Sequence, residues 1–159
     1  MLSVALQNVA DVLLDEKLII STAEFAYQEV MVDELTTAVK TESAECTIRV
    51  VGREEGQELN HSFRQKGNPT NVLSFAYDDN DPDSSIEYLG DIVLCYPVIK
   101  MESDEQGKLL EHHFSHLIVH GVLHLCGYEH EKTAEAEEME QLEIKILAKL
   151  NINNPYLSA

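Results

Sequence analysis

Six of the seven histidines in this chain (His112, His113, His116, His120, His124 and His130) crowd into residues 112–130. Four residues of α-helix turn about 400°, so His112, His116, His120 and His124 each lie only ~40° round from the one before. Interleaved with this ridge, Leu109, Leu110, Phe114, Leu117, Ile118, Val122 and Leu125 make a broad apolar face. The segment therefore reads as a helix buried on one side and edged with imidazoles on the other. Gly127 ends it, because glycine takes the left-handed conformation with which helices often close.

The other segments alternate in type. Residues 2–9, 46–51, 72–77 and 89–96 read as strands, the second from its β-branched run. Ser21 and Glu24 look like a capping box opening a helix over 22–40, with Phe25, Val32, Leu35 and Val39 on one face and Glu29, Asp33 and Glu34 near the other. A short helical stretch follows Gly56, and two more, over 98–106 and 108–126, flank Gly107. In a last helix over 133–150, Met139, Leu142, Ile146 and Leu150 fall at helical spacing, while Glu135, Glu137, Glu138, Glu140 and Glu143 read as a solvated face. The acidic run 78–85 reads as a solvated loop, since it lacks the glycine and closing glutamate of a calcium-binding EF-hand. This interleaving predicts an α+β (α/β-like) fold: a small mixed four-stranded sheet packed with about five helices, and a metal site at the end of a central helix. With 159 residues and no repeat or linker, one domain over 1–159 is expected.

Charge limits the partners. Against 29 acidic residues stand only 11 Lys and Arg, a formal charge of −18 that on average repels polyanions. A nucleic-acid partner would need a local basic site. No apolar run approaches the ~18 to 20 residues of a membrane span. The start of the chain has no basic region of the kind that opens a signal peptide. Cys46, Cys95 and Cys126 are scattered with no CxxC, and read as buried free thiols in a reducing cytoplasm.

Within the segment from His120 to His130, His120 and His124 are four apart on one face and can reach a single ion. Gly127 allows a sharp turn that can return His130 to the same point. Three imidazoles leave a fourth position open, whereas structural zinc sites are normally closed by four protein ligands. The spacing matches the metzincin pattern HExxHxxGxxH except that Gly121 stands where those peptidases carry their glutamate base. The ligand set survives and the base does not, which favours a different hydrolase. His116 reads as a partly exposed residue, or else as a hydrogen-bond partner of a ligand or a substrate contact, and His112 and His113 as surface residues. Cys126 reads as core, and Glu129 as either orienting His130 or solvated.

His120-Gly-Val-Leu-His124-Leu-Cys-Gly-Tyr-Glu-His130 closely resembles the signature of the YbeY family of bacterial rRNA maturation factors, with Glu129 in place of the usual aspartate. Residues 59–66 and 69–75 resemble a second block of that family, with Ala76 replacing its usual proline, and Leu89-Gly90-Asp91-Ile92 resembles a third. The resemblance implies a cytoplasmic, zinc-dependent, single-strand-specific endoribonuclease that matures rRNA, notably the small-subunit 3′ end, and serves ribosome quality control. Its expected partners are single-stranded RNA or rRNA and the ribosome or ribosomal proteins, with no membrane. It carries the metal ligands over to His120, His124 and His130, and the catalytically important arginine to Arg64. Imidazole also suits other borderline divalent metals.

Arg64 fits that chemistry physically, because a guanidinium is always charged and grips two phosphodiester oxygens at once. Lys66 could add affinity for the RNA backbone. Asp91 reads as orienting a ligand or capping a strand end, and Ser74 and Asn71 as candidates to line the cleft. Two rival readings stand beside the nuclease: another zinc hydrolase, a peptidase or amidase, against which Gly121 speaks, and a non-enzymatic ribosome-assembly factor in which metal serves stability alone.

Overall fold

The structure is a computed structural model that describes residues 1–33, 43–64, 70–129 and 132–157, with the side chains of Asp33 and of 62–64 outside that description. Its order is β1 (Leu2–Asn8), α1 (Glu16–Asp33), β2 (Ser43–Val51), α2 (Arg53–Arg64), β3 (Val72–Ala76), β4 (Ile86–Cys95), α3 (Tyr96–Gln106), α4 (Leu110–Leu125) and α5 (Thr133–Lys149). The strands form one sheet in the order β1-β2-β4-β3. β1 and β2 pair in parallel, as do β2 and β4, while β3 runs antiparallel to β4. This is the mixed four-stranded sheet and five-helix α+β fold expected from the sequence.

Strand alternation sorts the sheet into two faces. From β4, Ile92 and Leu94 join the large core with Cys46, Ile48 and Val50 of β2, under α1, α4 and α5. Val93 and Cys95 point the other way, into a smaller cluster with Val51, Leu73 and Val98. The α4 helix packs against α1, α3, α5, β3 and β4. It crosses the sheet at Gly121, where a Cβ would meet three side-chain atoms of Ile92 at 3.0 to 3.2 Å.

A bulge shapes β4. The pairing shifts register between Glu45 and Cys46, whose partners are Tyr88 and Gly90, so Leu89 is the extra residue. Gly90 takes φ +139, and a Cβ there would lie 2.1 Å from the Phe75 carbonyl oxygen. Only glycine lets β3 approach this closely. Asp91, just beyond, accepts the Tyr88 hydroxyl, which lies 2.7 Å from Thr47 Oγ1, so Asp91 buttresses the sheet.

Several local expectations are corrected. The first helix begins at Glu16, capped by Asp15, whose Oδ1 accepts the Leu18 amide at 3.1 Å. Ser21 lies inside the helix, its hydroxyl bonded back to the Leu18 carbonyl at 3.2 Å. Its buried stripe is Ile19, Ala23, Ala26, Tyr27 and Val30, and Val32 is 70% exposed. Leu35 and Val39 lie outside the described residues. Instead of preceding a short helical stretch, Gly56 sits within the twelve-residue α2, where a Cβ would come within 2.8 Å of Cys95 Sγ. Cys46 and Cys95 are buried free thiols, and Cys126 is half-buried. No described helix is long and apolar enough to cross a membrane.

Candidate metal centre

The C-terminal end of α4 builds the centre. Gly127 takes φ +102; its amide bonds the His124 carbonyl and the Tyr128 amide bonds the Leu123 carbonyl, each at 3.0 Å. This pair of bonds is the Schellman closure, which folds the chain back over the last helical turn. The fold brings the Tyr128 carbonyl to 2.9 Å from His124 Nδ1. A carbonyl only accepts, so His124 donates through Nδ1, and in the neutral ring its lone pair lies on Nε2.

His120 reaches the same state by a different route. Its Nδ1 lies 2.5 Å from Oε1 of Glu143, a fully buried carboxylate on α5. Oε2 of Glu143 accepts from His116 Nε2 at 3.2 Å and from the Tyr156 hydroxyl. Burial pushes the Glu143 carboxyl up, but hydrogen bonds from His116, His120 and Tyr156 outweigh it and hold the group at about 2. It is therefore ionised, and His120 donates through Nδ1. Burial, with the Glu143 carboxylate beside it, pushes the Tyr156 phenol up, so the hydroxyl keeps its proton and remains a donor.

With both protons on Nδ1, the two Nε2 atoms face each other at 3.0 Å. Two acceptors at that distance repel unless a proton or a cation stands between them. The donor set thus fits a cation, and neutral imidazole nitrogens suit zinc and its borderline neighbours. A carboxylate or carbonyl behind each ligating ring is the usual support of metal-bound histidine. Of the expected ligands, the structure brings His120 and His124 together, and His130 lies outside the described residues. Among the described residues no group of three His, Cys, Asp or Glu is placed to hold a metal.

Beside this pair runs a cleft of about 190 Å³, walled by Val72, Ser74 and Ala76 of β3 and by His120, His124, Tyr128 and Glu129. Alternate residues of β3 face the helix, as strand geometry requires. Ser74 lines the cleft as anticipated, whereas Asn71 is engaged elsewhere, donating to Glu102 Oε1 at 3.0 Å. Glu129 is exposed on the cleft wall. Arg64 ends α2 with its side chain outside the described residues, and Lys66 lies outside them altogether.

Two residues assigned to the surface from the sequence prove to be inside. His113 is buried, its Nε2 2.9 Å from Glu102 Oε1. Burial drives its pKa down against the pull of Glu102, which leaves the ring neutral at neutral pH. Glu143 is the second. It lies four residues after Met139 and three before Ile146, on the apolar stripe of α5, so a glutamate in line with core residues was the available signal. His116 is partly buried and donates to Glu143, which it shares with His120.

Comparison with known proteins agrees with this architecture. The family profile described as Endoribonuclease YbeY matches residues 13–151. An Endoribonuclease YbeY of Pseudomonas entomophila is 51% identical over 123 residues, which cover 77% of this chain and 78% of that protein. One from Aromatoleum aromaticum is 54% identical over 113 residues, covering 71% of this chain and 70% of the relative. The solution structure of TM1509 from Thermotoga maritima superposes with a TM-score of 0.57 at 22% identity, over 95% of this chain and 92% of that one, and shares the fold.

Proposed function

This chain belongs to the YbeY endoribonuclease family, and on that footing we propose that it is a zinc-dependent, single-strand-specific endoribonuclease of rRNA maturation. Its proposed target is the 3′ end of small-subunit rRNA, and its setting is the cytoplasm, on or beside the ribosome, with a further part in ribosome quality control. The observation that carries the metal reading is the pair of Nε2 atoms of His120 and His124 aimed at each other while both Nδ1 atoms are held by acceptors. The proposed ligands are His120, His124 and His130.

When bound, the cation supplies Lewis-acid polarisation of a phosphoryl oxygen. The chain's own groups do the rest. Glu143 and the Tyr128 carbonyl orient the ligating rings. The β3 wall, with the Ser74 hydroxyl, borders the path of a single strand past His120 and His124. Arg64 grips the scissile phosphate and stabilises the charge that grows on it during cleavage. A peptidase-type base has no place here, because a side chain at 121 would aim at Ile92.

The net charge of −18 opposes RNA. Affinity for free RNA is accordingly weak and salt-sensitive, and contacts on the ribosome supply the rest. The test is metal analysis beside cleavage of single-stranded RNA for wild type, Arg64→Ala and His124→Ala. Wild type retains zinc and cuts, His124→Ala loses both, and Arg64→Ala keeps the metal but cuts at least ~100-fold more slowly. Undiminished cutting by Arg64→Ala removes the role given to that arginine. Cutting by metal-free wild type removes the metal.

A further inference from the structure

Beyond α5 the chain does not run free. Asn151 takes φ +62 and the Ile152 amide returns to the Leu147 carbonyl at 2.9 Å, which closes the helix. Asn154 Oδ1 accepts the Tyr156 amide at 2.8 Å, and Lys108 Nζ donates to the Pro155 carbonyl at 3.3 Å, fastening the segment to the turn between α3 and α4. These contacts set the Tyr156 ring edge-to-face on His116, at 5.4 Å and 84°, with its hydroxyl on Glu143 Oε2.

We propose that Tyr156 is a positioning residue of the metal centre: through Glu143, its hydroxyl fixes the tautomer of His120 and the aim of His120 Nε2 at His124. The proposal rests on the reading of His120 as a metal ligand. Among the described residues, Glu143 is met by two imidazoles and one phenol, with no Lys or Arg. A carboxylate's last torsion is soft and roughly two-fold, so donors on both oxygens are needed to hold its plane. His120 takes Oε1. On Oε2, His116 lies at 3.2 Å, and the phenol is the closer donor. Removing the hydroxyl leaves Oε2 with one long bond. The carboxylate is then free to turn and to share His120 and His116 differently, and the direction in which it meets Nδ1 is no longer fixed. The Nδ1 proton of His124 has a separate anchor, the Tyr128 carbonyl at its own helix end, while its Nε2 faces His120 Nε2.

That separate anchor supplies the control. Tyr156→Phe keeps the ring on His116 and deletes only the hydroxyl. Leu157→Ala disturbs the same segment at a side chain that is 70% exposed. The measurements are nitrogen-15 NMR of the histidine rings in metal-free protein and zinc affinity by competition with a chelator. Tyr156→Phe is expected to convert His120 from the Nδ1–H tautomer to a mixture, leave the Nδ1–H of His124 in place on the Tyr128 carbonyl, and weaken zinc about tenfold, the low end for loss of a group behind a ligand. Leu157→Ala is expected to change neither.

An unchanged His120 signal and zinc affinity in Tyr156→Phe overturns the proposal. So does loss of the His124 Nδ1–H together with that of His120, which would mean general loosening of α4. A wild type that binds no zinc defeats the metal reading of the previous subsection, while the His120 tautomer in metal-free protein still tests the contact from Tyr156.

Discussion

Glu143 on α5 and His120 on α4, 23 positions apart in the chain, share a 2.5 Å hydrogen bond in the interior. The bond does two things at once. It gives a fully buried carboxylate one of its donors, and it decides which nitrogen of His120 faces His124. Under the metal reading proposed above, fold and function meet in the same atom pair, so damage to one is expected to reach the other.

Glu143→Ala leaves His116, His120 and Tyr156 without their common acceptor. Each imidazole left without its acceptor in this poorly solvated site costs about 1–3 kcal/mol, while the exposed Tyr156 can turn to water, so a loss of ~2 kcal/mol or more is expected in urea denaturation. Glu143→Gln keeps the shape but accepts less strongly, and is expected to fold while holding zinc roughly 10–100-fold more weakly. Chelator competition checks the second number. Native zinc affinity in Glu143→Gln would refute the orienting role.

Two glycines at positive φ separate strain from collision. At Gly107, φ is +64 and a Cβ would meet nothing within 4 Å, so Gly107→Ala is expected to cost about 1–2 kcal/mol for the left-handed backbone alone. At Gly90 the added carbon would also strike the Phe75 carbonyl oxygen at 2.1 Å. Gly90→Ala is expected to cost ~3 kcal/mol or more, or to detach β3 from β4. Chemical denaturation of the two variants side by side gives the ranking, and equal losses would contradict it.

Burial lowers the pKa of His113 below its ordinary value near 6.5. The unfolded chain therefore takes up a proton at this residue at a higher pH than the folded protein does. The resulting stability is complete above pH ~6.5 and declines as the pH falls from there toward the folded value. In His113→Gln that component vanishes, so the drop in melting temperature of metal-free protein between pH 7.5 and 5.5 is expected to be smaller than in wild type. Parallel drops would mean that His113 is not the group responsible.

At the crossing of α4 over the sheet, Gly121→Ala pushes a methyl group into Ile92 and is expected to cost about 1–3 kcal/mol. Ile92→Ala by itself opens a cavity, at roughly 2–5 kcal/mol. The double variant is expected to lose less than the sum by at least ~0.5 kcal/mol, because the new methyl occupies part of the space the isoleucine leaves. Strict additivity in melting experiments would show that residue 121 and Ile92 do not press on each other.

Much of the architecture was legible in residue order because it repeats locally. The four-residue histidine spacing and its interleaved apolar residues specify a half-buried α4 whichever partners cover it. Gly127 announces the turn after His124, since the left-handed closure needs only its own neighbours in the chain. The strand over Val72–Ala76 was legible too, but only the structure shows that its alternation puts Ser74 on the cleft side and Asn71 elsewhere. Val32 was misassigned because several nearly parallel stripes can be drawn on α1, and only the arrival of the sheet and α4 selects the one through Ile19, Ala23, Ala26 and Val30.

The sequence by itself determined the α+β class, the imidazole-bearing helix and the turn that ends it, because each follows from periodicity or from the allowed backbone of a single residue. Tertiary structure alone decided which glutamate of α5 is buried, that His113 faces Glu102, and that Tyr156 closes over Glu143. A charged side chain reads as solvated until a donor from elsewhere makes its burial tolerable, and those donors come from positions 13 to 27 residues away. Which of them meet is fixed by the packing of α5 and the C-terminal segment on α4.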